Sequence, residues 1–272
     1  MFPKLISIGS FYLPTYGALV ALAFLVALAV TVRLARRSGL DGELVTNLAV
    51  YCALAGLAGA KLLMFAFDFD YYRQHPGDIF SLSTLQAAGV FQGGLVLALI
   101  TAVVYMRRNN LPLLMTADAF APGIAIGHAI GRVGCFCAGC CWGKECSLPW
   151  AVTFHNPDAN RMVGVPLNVP LHPAQLYEVI TESLVFVILY RRFHRAHRAG
   201  EILGLYLVLS SSARFVIEFY RNHEQALPFG LPLSITQWIA LALLAAGLWL
   251  LARARREHAE LTPTKAHLAP AK

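Results

Sequence analysis

Seven long apolar stretches divide this chain, and a water-soluble fold has no place for them. They run Thr15–Val32, Leu44–Phe67, Val90–Met106, Ala119–Gly134, Ala174–Tyr190, Leu203–Tyr220 and Ser234–Leu251. A helix needs about 20 mostly apolar residues to cross a bilayer. The spacing therefore predicts an all-α, polytopic integral membrane protein with seven transmembrane helices. The fourth and sixth stretches carry Arg132 and Arg214, which weakens their hydropathy. Composition points the same way: 57% of residues are hydrophobic and 14% charged, with a mean hydropathy of +0.58. A soluble domain is about 25% charged. No internal repeat is visible.

The formal charge of +7 is not a nucleic-acid footprint, because of where the cations lie. They cluster after the odd-numbered stretches, at Arg33–Arg37, Arg107–Arg108, Arg191–Arg198 and Arg253–Arg256. The loops around 68–89, 144–172 and 222–233 are poor in Lys and Arg. Basic loops stay cytoplasmic, so the N-terminus is expected outside and the C-terminus inside. The first stretch is read as a span, since it lacks a clear cleavage site and RLARR follows it directly. Residues 1–256 are then one transmembrane domain with a small irregular outward-facing head near 144–172. Residues 257–272 are expected to form a disordered cytoplasmic tail.

Ionisable residues inside spans are costly and mark function by default. In SSARFVIEFYRNHE, Arg214, Glu218 and Arg221 follow at steps of four and three. On a helix they share one face. Two readings stand: a salt-bridge ladder between helices, or a polar cavity whose second arginine lacks a counter-charge and takes an anionic ligand. The planar guanidinium suits phosphate or carboxylate. Arg132 lies at comparable depth in the fourth stretch, with His128 one turn before it. Glycines at 123, 127, 131 and 134 line one side of that helix, permitting close approach of another helix or of a ligand.

A third cluster is LHPAQLYE. His172 precedes Pro173, which suits a first helical turn, and Gln175 and Glu178 follow at three-residue steps beside Tyr177. Acid–base chemistry and a plain capped helix entrance are both compatible with it. Tyr16, Gly17, Lys61 and FQGG, Phe91 to Gly94, add polar groups to the outward half of the bundle. Together these features describe a cationic cavity near the outer lipid head groups.

The segment GRVGCFCAGCCWGK packs four cysteines into seven residues around Arg132, with Cys146 close by. Cys137 and Cys140 form a CxxC. On the expected topology this loop faces an oxidising compartment, where disulfides persist, so disulfides or small buried thiols tightening the turn are expected. A metal centre calls for a second ligand pair at regular spacing, and none follows. A membrane thiol–disulfide oxidoreductase using Cys137 and Cys140 is the rival function, but it leaves the arginine stripe unexplained. A protein that binds anionic lipid without turnover is a further alternative.

The chain resembles bacterial prolipoprotein diacylglyceryl transferases over nearly its whole length. The likeness rests on ISIGSFYLPTYG, GLAGAKL, FQGGL, GHAIGRVGCFCAGCCWGK, LPWAVTF, HPAQLYE, ARFVIEFYR and LSITQW, in that order. It implies a multi-pass enzyme of the bacterial inner (plasma) membrane that transfers the diacylglyceryl group of phosphatidylglycerol to the lipobox cysteine of a prolipoprotein, releasing glycerol phosphate. Its partners would be that lipid, the lipobox segment and the bilayer, with no nucleic acid. No metal or organic cofactor is implied. Arg132 and Arg214 match the family's key arginines and are the implied catalytic pair. Glu218 and Arg221 support them, Tyr16, Gln92 and Gly93 line the pocket, and His172, Gln175, Tyr177 and Glu178 shape its entrance.

The match is uneven. The third-span motif of the family reads His-Gly-Gly, and Gln92 stands in the histidine position; an amide is no general base near neutral pH. His128, His172 and Glu178 are the other proton-acceptor candidates. After Arg132 the family pattern is close to Gly-Arg-x-Gly-Asn-Phe-x-Asn-Gly-Glu, where this chain has Cys135, Ala138 and Cys140 at the three polar positions. Lys61 and Lys144 stand where arginine is common, which keeps the charge and loses the fork.

Overall fold

The computed structural model describes residues 2–8, 11–81, 84, 89–222 and 232–260. Most of the loop expected at 222–233, and tail residues 261–272, lie outside the described residues. The long elements are helices: α1 (Thr15–Arg37), α2 (Gly42–Phe67), the short α3 (Phe69–Gln74), α4 (Phe91–Arg108), α5 (Leu113–Ala138), the short α6 (Pro157–Val163), α7 (Ala174–Phe193), α8 (Glu201–Ile217) and α9 (Ile235–Glu260). Two short antiparallel hairpins accompany them. One joins β1 (Lys4–Ile8) to β2 (Phe11–Pro14), the other β3 (Val152–Thr153) to β4 (Pro170–Leu171).

Each of the seven apolar stretches is a helix. Five are long and apolar enough to cross a membrane: Thr15–Arg37, Gly42–Phe67, Leu113–Ala138, Glu201–Tyr220 and Ile235–Arg256. The other two fall short for visible reasons. The 18 residues of α4 include Gln92 at one end and Arg107 and Arg108 at the other. Helix α7 carries Glu178, Glu182, Arg191 and Arg192. Helix α9 continues four residues past Arg256, where the tail was expected to begin.

The packing is that of a membrane protein. Large apolar side chains such as Leu25, Leu57, Leu62, Leu184, Leu248 and Trp249 point outward, while Ala23, Ala119, Ala121, Ala125 and Ala129 are buried. In water such a surface would aggregate; against lipid tails it needs no cover, and helices associate through small residues instead. The protein is a multi-pass membrane protein.

The chain forms two compact units, residues 1–34 with 117–272, and residues 35–116. In the second unit, α2 packs on α4 through facing glycines. A Cβ on Gly94 would lie 2.7 Å from the Gly56 carbonyl oxygen, and one on Gly93 would meet Gly59. Lys61 Nζ donates to the Thr84 carbonyl, and Val90 N to Ala60 O at 3.0 Å. The first unit uses the same device. Gly123 and Gly127 lie against Thr31 and Ala27 of α1, Gly134 against Leu19 and Tyr16, and Gly204 faces Gly247. Most of the glycine stripe of α5 therefore serves helix approach, with only Gly131 facing open space.

The expected head has its own small core in this unit. Phe154, Ala159, Val165 and Leu171 are buried together, with Phe136 and Trp142 against them. Asn156 caps α6 by accepting from Asp158 N at 2.9 Å. Lys4 ties the N-terminal hairpin to α6 through a 2.8 Å ion pair with Asp158, which holds the Asp158 carboxyl below the usual carboxylate range.

Candidate active site

The site is organised by one buried carboxylate. Glu178, in the second turn of α7, is 3% exposed. Its Oε1 accepts from Arg214 Nη1 at 2.8 Å and Arg221 Nη1 at 3.3 Å. Its Oε2 lies 2.6 Å from Arg132 Nε and 3.4 Å from His128 Nε2. Three arginines, one from α5, one from α8 and one from the segment just past α8, thus meet on an acid from a third helix. Arg214 also pairs with Glu218, Nη2 to Oε2 at 2.9 Å, and Ser234 Oγ donates to the other Glu218 oxygen at 2.9 Å.

The stripe 214–218–221 reaches this point by a different geometry from the expected one. The α-helix stops at Ile217, Glu218–Tyr220 make a 3-10 turn, and Arg221 is extended with φ −81° and ψ 146°. Arg221 is therefore not on a continuous helical face. Its backbone instead bridges Gly143 in an antiparallel pair. A Cβ on Gly143 would lie 2.6 Å from both Tyr220 O and His172 Cβ, so only glycine lets these strands close. Lys144 N donates to Tyr220 O at 2.8 Å, and His172 N to Lys144 O at 2.9 Å.

Three guanidiniums stand with three buried carboxylates, Glu178, Glu218 and Glu182, so the cluster is matched in formal charge. Glu182, one turn further along α7, faces His128 Nδ1 at 3.6 Å and accepts from Ser210 Oγ at 2.5 Å. Arg221 Nε is buried and donates to no described residue. Guanidiniums with donors to spare, Arg221 Nε among them, suit an anion with oxygens to share.

The cysteines gather beside this cluster. Helix α5 ends in a Schellman closure. Gly139 sits at φ 82°, Gly139 N donates to Phe136 O at 3.3 Å, and Cys140 N to Cys135 O at 3.1 Å. That closure folds Cys140 back over Cys135, and Cys141, at φ 60°, turns the next thiol the same way. The Sγ atoms of Cys135, Cys140 and Cys141 all lie within 4.8 Å of one another. Arg132 Nη1 is 3.9 Å from Cys135 Sγ. Hydrogen bonds from Cys135 and then Cys140 hold the Cys141 thiol below the usual range; burial opposes this, while Arg221 and Arg132 add to it. The same contacts, Cys135 first, push the Cys140 thiol up.

All six cysteines are free thiols and Cys135 is buried, which agrees with the small-buried-thiol form of the expectation rather than the disulfide form. Cys137 is not in the group, so the thiols gathered beside the arginines are not the CxxC pair.

The remaining expected residues divide. Tyr16 starts α1 beside Gly134, within electrostatic range of Arg132 and the three thiols. Gln175 is fully buried and donates to the Cys140 carbonyl at 2.7 Å, so it holds the cysteine loop. His172 precedes α7 as extended chain; its Nδ1 is 3.1 Å from Tyr177 Oη, which accepts from Trp150 Nε1 at 2.9 Å. Tyr220 packs on His172 with centroids 5.1 Å apart, completing an aromatic rim. Gln92 and Gly93 belong to the other unit, in the first turn of α4. Sequence reasoning missed Glu182, Ser210 and Ser234. An intramembrane glutamate one turn after Glu178 was the available signal for the first.

Fold and site together define a multi-pass helical membrane protein that gathers three half-buried arginines around one buried acid. Comparison with known proteins makes this specific: the family described as prolipoprotein diacylglyceryl transferase matches residues 3–253, and the chain belongs to it. It is similar to a phosphatidylglycerol–prolipoprotein diacylglyceryl transferase of Clostridium tetani, 28% identical over 249 residues covering 92% of this chain and 96% of the relative. One of the same name from Nitratidesulfovibrio vulgaris is 33% identical over 256 residues, 92% and 93% of the two chains. Another from Paracidovorax citrulli is 36% identical over 193 residues, 70% and 68%.

Proposed function

We propose that this protein transfers the diacylglyceryl group of phosphatidylglycerol to the lipobox cysteine of prolipoproteins in the bacterial inner membrane. The observation that carries the reading is the convergence of Arg132, Arg214 and Arg221 on buried Glu178, in a chain of this family. On this reading all seven long helices span the bilayer, with the N-terminus and the head outside. The two helices that fall short on hydropathy do so through groups at their ends or in the site, which neighbouring helices cover.

The cysteine thiol gives its proton up to solvent, and its sulfur joins a glyceryl carbon as the bond from that carbon to the phosphate oxygen breaks. The electron pair leaves on that oxygen, so the departing glycerol phosphate gains charge. Arg214 and Arg132 are the catalytic pair: each keeps N–H groups beyond those on Glu178 to hold the phosphate as charge develops. Glu178 and Glu218 fix the direction of the guanidiniums, and Arg221 guards the head group with its spare Nε donor. Tyr16 borders the pocket, while His172 and Tyr177 form the rim through which the peptide enters. With three guanidiniums against it, the Glu178 carboxylate is a poor proton acceptor.

The test uses purified protein in detergent with phosphatidylglycerol and a lipobox peptide. The peptide gains the mass of a diacylglyceryl group with the natural protein and gains nothing with Arg132→Ala or Arg214→Ala. An unmodified peptide with folded, lipid-binding natural protein refutes the assignment.

A further inference from the structure

The three thiols gathered beside the arginines have no task in the transfer as described, and their arrangement is that of a ligand set. We propose that Cys135, Cys140 and Cys141 bind one zinc ion, whose fourth coordination position takes the thiol of the incoming peptide. The proposal rests on the transferase reading for its substrate, and on the thiol geometry alone for the metal.

Four observations carry it. Thiolates are the ligands that soft metals select, and zinc takes them tetrahedrally at about 2.3 Å, with sulfurs about 3.8 Å apart. The three Sγ atoms, all within 4.8 Å of one another, reach that spacing by small side-chain rotations. A disulfide would join one pair and strand the third thiol.

The backbone holding them is built rather than incidental. The Schellman closure sets Cys140 over Cys135, the left-handed residue Cys141 turns inward, and Gln175 pins the Cys140 carbonyl at 2.7 Å. Partners that fix a ligand-bearing loop in this way are what metal sites need.

The charge also fits. Three thiolates on Zn²⁺ carry one negative charge, and Arg132 stands 3.9 Å from Cys135 Sγ. No fourth His, Cys, Asp or Glu among the described residues joins the group. Three protein ligands with an open fourth position is the pattern of reactive zinc, whereas closed four-ligand sets are structural.

The chemistry of the transfer uses such a position. A free thiol is only a few per cent thiolate at neutral pH, and Gln92 cannot take its proton. A thiol that coordinates a bound cation is deprotonated outright. The peptide thiol would displace a water from zinc and lose its proton to solvent. Its sulfur then attacks the glyceryl carbon, the carbon–oxygen bond breaks, and the pair leaves on the phosphate oxygen beside Arg132. The resulting thioether is uncharged and a weak ligand, so it departs and water returns. Zinc stays Zn²⁺ throughout, and nothing is oxidised or reduced. The family resemblance implied no metal, but Cys135 and Cys140 stand at positions where its polar pattern is lost, so that implication does not reach them.

The experiment measures metal content and transfer on the same full-length protein in detergent, purified under reducing conditions. One zinc per chain is expected in the natural protein and in Cys137→Ser, with a loss of about tenfold or more in zinc affinity for Cys140→Ser and Cys141→Ser. Stripping zinc with a chelator should slow peptide modification by a similar factor, and added zinc should restore it. In protein loaded with Co²⁺ instead, the lipobox peptide should alter the sulfur-to-cobalt absorption bands, a readout independent of turnover and of the variants.

Transfer at full rate by zinc-free protein overturns the proposal and leaves the transferase reading standing. Natural protein that binds no zinc, or an intact mass lower by one disulfide, overturns it too. A cobalt spectrum indifferent to the peptide overturns the coordination step. Zinc bound through these cysteines without any transfer would fault the transferase reading and leave the metal site.

Discussion

Two buried carboxylates in the same unit show how similar groups are put to different ends. Asp118 on α5 is 1% exposed and accepts from Gly200 N and Leu203 N, both at 2.7 Å. Those are donors at the start of α8 that no intrahelical carbonyl can satisfy. The acid caps a helix from 82 residues away, its partners are backbone, and nothing is left over. Glu178 is as deeply buried, but its partners are three guanidiniums with more donors than it can accept. One acid closes its network, and the other holds a network open toward a further anion. Burial alone does not mark function; an excess of donors over acceptors does.

The comparison is sharpened by substitutions whose effects fall in different measurements. The largest belongs to Arg214→Ala, which removes a donor to the departing phosphate and is expected to slow transfer on the order of 10²–10³-fold while the protein stays folded. Glu178→Gln comes next: it strips the shared charge from three cations, costs about 3–5 kcal/mol of stability, and lowers transfer in the folded remainder. Thermal unfolding in detergent and peptide modification read the two effects separately. Asp118→Ala leaves two buried N–H groups unpaired and is expected to cost about 2–5 kcal/mol with no change in transfer per folded molecule. If Asp118→Ala silenced a folded protein, the division between the two acids would fail.

The smallest effect is at the surface. Lys4 holds the Asp158 carboxyl below its ordinary range, so their tie is present above the unfolded value of about 3.9 and is lost as pH falls through the lower folded value. Lys4→Ala should leave transfer at neutral pH unchanged, and any shift in unfolding midpoint should vanish in acid. A transfer defect in this variant would show that the hairpin reaches the reaction.

Much of this architecture is readable along the chain, because a bilayer demands long apolar helices and charges inside them are conspicuous. Arg132 and Arg214 stand out on that ground alone. Glu178 is different: its neighbours on α7 are visible in sequence, but its arginines come from positions 46 residues upstream and 36 and 43 downstream. Which helices face one another is a matter of packing that no local pattern contains. The stripe ending in Arg221 is a partial success, since a 3-10 turn and an extended residue replace the helix and still bring the guanidinium to the same acid. For the cysteines the CxxC spacing drew attention to Cys137, whereas Gly139 was the informative residue. A glycine just past a helix end announces the Schellman closure that brings Cys135 and Cys140 together. Asp118 carries no sequence signal, because its partners are backbone groups on a distant turn.

The central claim is that the arginines on Glu178 hold the phosphate that leaves. It is tested most directly by following glycerol phosphate released from labelled phosphatidylglycerol in the presence of lipobox peptide, for the natural protein, Arg214→Ala and Arg214→Lys. One glycerol phosphate per modified peptide is expected from the natural protein, none above background from Arg214→Ala, and little recovery with Arg214→Lys, which restores the charge without the two-pronged fork. Release by Arg214→Ala at the natural rate would contradict the account.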